Sequence, residues 1–135
     1  MDEARADAVI RSCVELTEGE ARYLLAIRAL TVDDRPPSQA AIARRLGVSH
    51  PTALEMIRRL RRLELLEPES MRLTSAGMSA ALVLSSRRQA AQQLAHDVLG
   101  LDDEEAEIEA ERLAASASPV LARRLVAWRA ASRHS

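Results

Sequence analysis

Two short helical segments joined at Gly47 constrain the fold of this chain more than any other feature. Residues 39–46 carry apolar side chains at helical spacing, and they follow Ser38, a residue type that caps helix N-termini. Gly47 supplies the backbone freedom for a tight turn, and a second helix is predicted to begin after Ser49 with Pro51 in its first turn. Two helices of this size around a glycine turn form the helix-turn-helix pattern. The inward-facing side chains predicted for the second helix are Leu54, Ile57, Leu60 and Leu63.

A small hairpin and three more helices are predicted after the helix-turn-helix. The short apolar stretches 65–67 and 71–73 flank a turn, so we expect them to form the two strands of a wing. Thr74 is predicted to cap a long helix, and Asp102 with Glu105 has the spacing of a capping box. The helices expected in this part reach from 75 to about 99, from 103 to about 115 and from 119 to about 131. The predicted fold class is therefore mainly α: a winged helix-turn-helix with a small two-stranded wing, followed by a helical region.

The sequence divides into three parts. Residues 1–16 form a leader that could contain a short helix, residues 17–76 form the winged helix-turn-helix domain, and residues 77–135 form a helical dimerisation domain. A capping box at Thr17 and Glu20 marks the first helix of the winged domain. The helices after the wing have too little surface of their own for a large core, so we expect them to pack against a second copy of the chain.

The net charge of −1 conceals two blocks of opposite charge. Residues 35–62 contain seven arginines and one acid, Glu55, which gives a local charge of +6 (seven minus one). Residues 102–111 contain seven acids and no base. This separation of charge is typical of a protein that binds a polyanion on its cationic surface while its acidic surface repels the same polyanion. Two solvated helix faces are the alternative interpretation.

The helix after Ser49 has the side chains that a DNA recognition helix needs. Small polar residues stand at its N-terminal end, where such a helix enters the major groove, and arginines follow further along. Hydroxyls can donate to base edges or phosphates, and Glu55 can accept from a cytosine amine. A winged helix used for protein contacts is the alternative, and the arginine excess argues against it. The predicted DNA-contacting residues are Arg44, Ser49, His50, Pro51, Thr52, Glu55, Arg58, Arg59 and Arg72.

Sequence features of other protein classes are missing. No apolar run approaches the ~20 residues needed to span a bilayer, and no signal core follows the N-terminus, so we expect a cytoplasmic protein without a membrane partner. The single cysteine, Cys13, cannot form an internal disulfide, and its role stays open. There is no phosphate-cradling glycine loop, nucleophile elbow or histidine metal motif, so we expect no enzyme, and no small-molecule substrate is identified.

Several stretches of the sequence together resemble a known family of regulators. They are Tyr23-Leu24, residues 42–46 followed by Val48-Ser49-His50-Pro51-Thr52, residues 73–77, residues 96–102 and residues 118–125. Their order, within residues 17–126, resembles the diphtheria-toxin-repressor and manganese-transport-regulator family of winged-helix metalloregulators. The resemblance implies a homodimer in which each subunit binds one half-site of a double-stranded DNA operator. It assigns DNA contacts to Ser49, Pro51 and Thr52, whereas Glu55 stands where some members have glutamine.

The same resemblance implies a site for manganese or iron, and this sequence departs from it. The positions that the resemblance assigns to ligands hold Arg22, Leu25, Arg88, Gln92, Glu107, Glu111, Ala114 and Ala115. Arginine stays protonated and alanine has no donor atom, so we expect no metal at the family's site and no cofactor. Glu107 and Glu111 are weak candidates for ligands at an atypical site. Arg22, Arg88 and Glu111 are expected to form an ion cluster in place of the metal.

The expected function is a homodimeric, sequence-specific DNA-binding regulator of transcription, a repressor, that does not use the family's metal site. A manganese- or iron-dependent repressor with atypical ligands is the first alternative. A winged-helix protein-interaction module is the alternative of another class. Binding to duplex DNA that weakens steeply with salt separates the module from the regulators.

Overall fold

The structure, a computed structural model, describes residues 16–133, so Cys13 and all of the predicted leader except Leu16 lie outside the described part. Six α-helices and one π-helical turn form most of this range. They are α1 (Glu18–Leu30), α2 (Gln39–Leu46), α3 (His50–Arg62), α4 (Ser75–Gln93), the π-helical turn Leu94–Val98, α5 (Asp103–Ser116) and α6 (Pro119–Ser132). The prediction of a mainly helical fold is confirmed. None of the described helices is long and apolar enough to cross a membrane.

A side chain caps the N-terminus of each α-helix in the described range. The caps satisfy backbone amides that have no partner inside the helix, and they fix where each helix begins. Both capping boxes predicted from the sequence are present, with Glu20 and Glu105 reaching back to the amides of Thr17 and Asp102. The six capping residues are Thr17, Ser38, Ser49, Thr74, Asp102 and Ser118.

The helix α1 lies at the centre of the packing and contacts α2, α3, α4 and α5. Its side chains Leu24 and Ile27 are fully buried, and each such side chain contributes ~1.5–3 kcal/mol through the hydrophobic effect. One core therefore includes the helix-turn-helix and the start of the helical region. The same core contains fully buried side chains from the other elements, namely Ile42, Ile57, Leu60, Leu66 and Leu84.

The buried face of α3 differs from the predicted stripe at both ends. Ile57 and Leu60 are buried as expected, but the small Ala53 is fully buried where Leu54 was predicted to point inward. Leu63 is 47% exposed, because α3 ends one residue before it. The small side chain of Ala53 allows close packing of α3 at this contact.

The wing is smaller than the sequence predicts. Leu66 and Leu73 pair in a single antiparallel bridge, and the Glu67 amide donates to the Arg72 carbonyl at 2.9 Å. The two strands expected at 65–67 and 71–73 are therefore reduced to one bridge. Two features limit the pairing of the strands. Pro68 has no backbone amide to donate, and the side chain of Arg61 occupies the carbonyl oxygens of Glu67 and Ser70 in the turn.

The side chain of Arg61 fastens the wing to α3. Its Nε donates to the Glu67 carbonyl at 3.0 Å and its Nη2 donates to the Ser70 carbonyl at 3.1 Å. Hydrogen bonds from a charged donor are stronger than those between neutral groups. Arg61 therefore stabilises the hairpin. From the sequence alone it belonged to the cationic block of residues 35–62.

The helix α4 ends earlier than predicted, at Gln93 rather than near Leu99. The chain continues into the π-helical turn, in which the Leu99 amide donates to the Leu94 carbonyl at 3.1 Å. Gly100, with φ +74°, then turns the chain toward α5. The wider turn thus lies between the end of α4 and the glycine at position 100.

His96 links the π-helical turn to the start of α5. Its Nδ1 lies 2.9 Å from Asp97 Oδ1, and its Nε2 lies 3.1 Å from Asp103 Oδ1. The hydrogen bond with Asp97, followed by the charge of Asp103, raises the pKa of His96 above its ordinary value of 6.5. Folding therefore favours the protonated form of His96 more than the unfolded chain does.

We expect this contact to strengthen as the pH falls. Because the folded-state pKa is raised, the stabilisation is fully present below pH 6.5 and is lost as the pH rises through the raised pKa. An NMR titration of the His96 ring should therefore give a midpoint above 6.5. Asp103→Asn should move that midpoint back toward the ordinary value. An unchanged midpoint in Asp103→Asn would show that this carboxylate does not act on the imidazole.

Candidate nucleic-acid interface

The N-terminal end of α3 presents small polar side chains to solvent. Gly47, in the left-handed region at φ +67°, makes the turn that directs α3 away from α2. The Ser49 hydroxyl accepts from the Thr52 amide at 3.3 Å and donates to the Thr52 hydroxyl at 2.9 Å. Both of these residues, with His50 and Pro51 between them, are exposed. The helix therefore begins in a rigid, uncovered cap of the size that enters a DNA major groove.

Cationic side chains surround this exposed end. Arg44 on α2 and Arg58 on α3 are exposed and form no ion pair within residues 16–133. Arg72 is exposed beside the wing. Thr52, Glu55, Arg59 and Arg62 line one shallow concavity beside Tyr23. Of the predicted DNA-contacting residues, Thr52, Glu55 and Arg59 thus lie together along one face of α3.

An ion pair with a buried carboxylate fastens the start of α1 to α3. Glu20 is 3% exposed, and its Oε2 lies 2.9 Å from Nε of Arg59, whose side chain is half exposed. The arginine N–H does not point at this oxygen, so the contact is an ion pair rather than a directed hydrogen bond. The other oxygen, Oε1, accepts from the Thr17 amide at 3.1 Å. Glu20 therefore serves both as a helix cap and as an anchor for Arg59.

Sequence reasoning missed this role of Glu20. The capping-box spacing identifies Glu20 as a cap, but the pairing with Arg59 depends on how α1 packs on α3. Tyr23, one turn further along α1, also lies at this contact, and burial raises the pKa of its hydroxyl while the charge of Arg22 lowers it. The sequence did offer one signal for this contact, since Glu20 is an acid on the apolar face of α1.

The ion cluster expected for Arg22, Arg88 and Glu111 is not formed. Glu111 Oε1 lies 3.7 Å from Nη2 of Arg45, and Arg88 instead donates to Gln92 Oε1 at 3.3 Å. Arg22 is exposed on the outer side of α1. The prediction was wrong because α2 packs close enough to α5 for Arg45 to reach the carboxylate. The acid thus links the helix-turn-helix to the helical region, but through a different arginine.

The side chains at the resemblance-derived ligand positions do not fit a transition metal. Leu25 and Ala114 are buried in the core and carry no donor atom. Glu107 is exposed, and Glu111 is paired with Arg45. In the part of the chain that the structure describes, no three His, Cys, Asp or Glu side chains are grouped as metal ligands.

A helix-turn-helix with a braced wing, an uncovered recognition helix and surrounding arginines defines a winged-helix DNA-binding domain. Residues 15–72 match the family model described as "Iron dependent repressor, N-terminal DNA binding domain". This winged-helix part of the chain therefore matches the DNA-binding domain of the iron-dependent repressor family, the family that the sequence resemblance indicated.

Relatives and a solved structure agree with this assignment. The chain is 36% identical over 106 residues to the diphtheria toxin repressor of Corynebacterium jeikeium (strain K411), covering 76% of this chain and 43% of that protein. It is 34% identical over 115 residues to the iron-dependent repressor IdeR of Mycobacterium tuberculosis (strain ATCC 25618 / H37Rv), covering 83% and 50%. A solved structure described as "Manganese-dependent transcriptional repressor complex with manganese" matches with a TM-score of 0.69 and 32% identity, covering 80% of this chain and 51% of that chain. The chain spans about half the length of the relatives that it matches.

Proposed function

We propose that this protein is a homodimeric, sequence-specific repressor of transcription that binds duplex DNA without a metal at the site used by its relatives. Residues 17–76 would bind DNA and residues 77–135 would form the dimer. The observation that carries this proposal is the exposed, Ser49-capped start of α3 with arginines on its flanks.

Base recognition falls to the first two turns of α3. The hydroxyl of Ser49 or Thr52 can donate to a base edge or a phosphate, and the Pro51 ring can pack on a thymine methyl. Glu55 is exposed on the same side and can accept from a cytosine amine. Since glutamine would prefer adenine, the operator of this protein should differ from that of relatives with glutamine at this position.

Phosphate contacts fall to the arginines around α3. Arg44, Arg58 and Arg72 reach outward from three different elements, α2, α3 and the wing. Each phosphate contact adds about 0.9 to the negative slope of log affinity against log salt concentration. His50 stands at the first residue of α3, where it can contact either a phosphate or a base.

The dimer would form through α4 and α6. Leu82 on α4 is 48% exposed, and Val120, Leu121 and Val126 on α6 are 62%, 43% and 38% exposed. Between these two helices lies an open apolar groove of about 400 Å³. Contiguous apolar surface of this kind marks a contact site, and a second copy of the chain would cover it symmetrically.

Two observations support DNA binding that is independent of metal. Several ligand positions implied by the resemblance carry no metal-binding atom, and Glu111 is paired with Arg45. The ion pair joins α2 of the DNA-binding domain to α5 without any ligand. The names of the relatives refer to iron and manganese, so metal control through Glu107 and Glu111 is the competing candidate.

The test is a titration of the purified protein onto the duplex upstream of its own gene, first in chelator and then with added manganese or iron. We expect tight binding in chelator, no change with metal, and a steep loss of affinity with salt. Arg58→Ala should reduce the salt slope by about 1, while Arg112→Ala, on α5 and paired with Glu109 at 3.1 Å, should leave it unchanged.

Other outcomes contradict parts of the proposal. Binding that requires manganese or iron would overturn metal independence and leave DNA binding in place. If duplexes with and without the operator fail to bind under both conditions, the winged helix serves as a protein-interaction module instead.

A further inference from the structure

Two buried side-chain oxygens on α1 have no hydrogen-bond partner among residues 16–133. They are Oε2 of Glu20, which is 3% exposed, and the hydroxyl of Tyr23, which is 6% exposed. Buried polar groups in proteins are normally hydrogen-bonded, because leaving them unpaired is costly. A carboxylate oxygen accepts and a phenol donates, so the two atoms are complementary. Burial raises the pKa of the Tyr23 hydroxyl, which therefore keeps the proton that it can donate.

The geometry of α1 places these two side chains beside each other. Glu20 and Tyr23 are three residues apart on the buried face of the helix, a spacing that puts Cβ atoms about 5–6 Å apart. A long side chain in a helix leans back over the preceding turn, and for Tyr23 that turn contains Glu20. Both side chains face α3, since Glu20 contacts Arg59 and Tyr23 lines a concavity together with Arg59. A rotation of either side chain can therefore bring the hydroxyl to the carboxylate.

In the chain without DNA, Arg59 stands beside the carboxylate of Glu20. Its Nε lies 2.9 Å from Oε2, but its N–H is not directed at that oxygen, and its side chain is half exposed. The concavity that it lines also contains Thr52 and Glu55, which belong to the proposed DNA-contacting face. A DNA phosphate at this face competes with Glu20 for the guanidinium. Without another donor, loss of Arg59 would leave a buried charge unpaired.

We propose that Tyr23 is a positioning residue for DNA binding, an inference that rests on the proposed function. When a DNA phosphate draws Arg59 away from Glu20, the Tyr23 hydroxyl donates to Oε2 and satisfies the buried carboxylate. Tyr23 does not contact the DNA. It makes the release of Arg59 less costly, because a hydrogen bond to a charged group takes the place of the ion pair.

Thermal unfolding without DNA tests this exchange of partners independently of the proposed function. Arg59→Met removes the guanidinium, so the Tyr23 hydroxyl should bond to Glu20 in this variant. In the Arg59→Met background, Tyr23→Phe should lower the Tm by about 5 °C, the effect of losing one hydrogen bond to a charged group. In the otherwise wild-type chain, Tyr23→Phe removes a hydroxyl that has no partner and should leave the Tm unchanged or slightly higher.

Affinity for DNA should show the opposite pattern. In the otherwise wild-type chain, Tyr23→Phe should weaken binding to the duplex upstream of the protein's own gene about tenfold for each bound subunit, because the release of Arg59 then leaves Glu20 unsatisfied. In the Arg59→Met background the same substitution should not change the affinity, since no guanidinium is released. In the Glu20→Gln background it should also have little effect, since no buried charge remains.

The hydroxyl can also be observed directly, because Tyr23 is the only tyrosine of the chain. An isotope label at the tyrosine Cζ atom therefore reports on this group alone in an NMR spectrum. We expect the duplex to shift the Cζ resonance of the wild type toward the position that it has in Arg59→Met without DNA. The same duplex should leave the resonance of Arg59→Met nearly in place.

The other outcomes overturn the proposal in different ways. If Tyr23→Phe lowers the Tm equally in both backgrounds, the hydroxyl only supports packing. If it weakens DNA binding equally in both backgrounds, Tyr23 itself contacts the DNA. If it leaves the DNA affinity of the wild-type chain unchanged, Arg59 does not depend on Tyr23 for its release. A wild-type chain that binds no duplex refutes the proposed function and the role of Tyr23 in DNA binding, whereas the Tm values still decide whether Tyr23 replaces Arg59 at Glu20.

Discussion

Gly77→Ala should lower the free energy of unfolding by about 3 kcal/mol, since overpacking that requires a backbone shift costs this much. A Cβ atom built on Gly77 would lie 1.9 Å from the carbonyl oxygen of Leu65. That atom belongs to the backbone of the wing, so no rotation of a side chain can make room. The Tm should fall by about 10 °C in a domain of this size.

Three hydrogen bonds keep the backbone at Gly77 from moving away. The Gly77 amide donates to the Thr74 hydroxyl at 3.0 Å, and that hydroxyl donates to the Glu64 carbonyl at 2.7 Å. The Thr74 amide donates to the Leu65 carbonyl at 3.1 Å. The start of α4 is thereby joined to the chain that leaves α3, and a shift at Gly77 must break one of these bonds.

Gly19→Ala is the matched control for this substitution. Gly19 lies in the first turn of α1, and the atom nearest to a methyl group placed there is Cε of Met56, a flexible side chain at 3.4 Å. Alanine should therefore be neutral or slightly stabilising there, because it also restricts the unfolded chain. Thermal and urea unfolding of both variants decide the matter. A Gly77→Ala protein with the wild-type Tm would contradict the close approach of α4 to the wing.

Much of this fold could be predicted from local sequence. Capping residues, the glycine turn and the apolar periodicity depend on neighbours within four positions, and they correctly located all six described α-helices. The match to the iron-dependent repressor model confirms the family that the same segments indicated. The exact hydrogen bonds of the wing were not predictable, because Arg61 reaches them from another element.

The contacts between elements were harder to predict, for a physical reason. Arg45, Arg59 and Arg87 each lie on a different helix. One pairs with Glu111, one pairs with Glu20 and one lines a cavity. Which carboxylate an arginine meets depends on distances of a few ångströms between helices, and periodicity does not encode them. The expected DNA contacts remain predictions for the same reason, since they depend on a partner outside the chain.

Arg59→Met should lower the free energy of unfolding by about 2 kcal/mol, because it leaves the carboxylate of Glu20 buried without its cation. Glu20 is 3% exposed, so water cannot replace the lost partner well. The cost is below the 3–5 kcal/mol typical of fully buried pairs, since the Arg59 side chain is half exposed.

The double variant Glu20→Gln/Arg59→Met separates the two roles of Arg59. Glutamine also completes a capping box, so it keeps the bond to the Thr17 amide while removing the buried charge. Stability should then return to within about 1 kcal/mol of the wild type, the size of the remaining hydrogen-bond and packing differences.

Both Arg59→Met and the double variant should bind DNA more weakly than the wild type. The slope of log affinity against log salt concentration should be smaller by about 1 in each, because both lack the phosphate contact expected of Arg59. If the double variant recovers DNA affinity together with stability, Arg59 acts only by fastening α1 to α3, and its contact with DNA is ruled out.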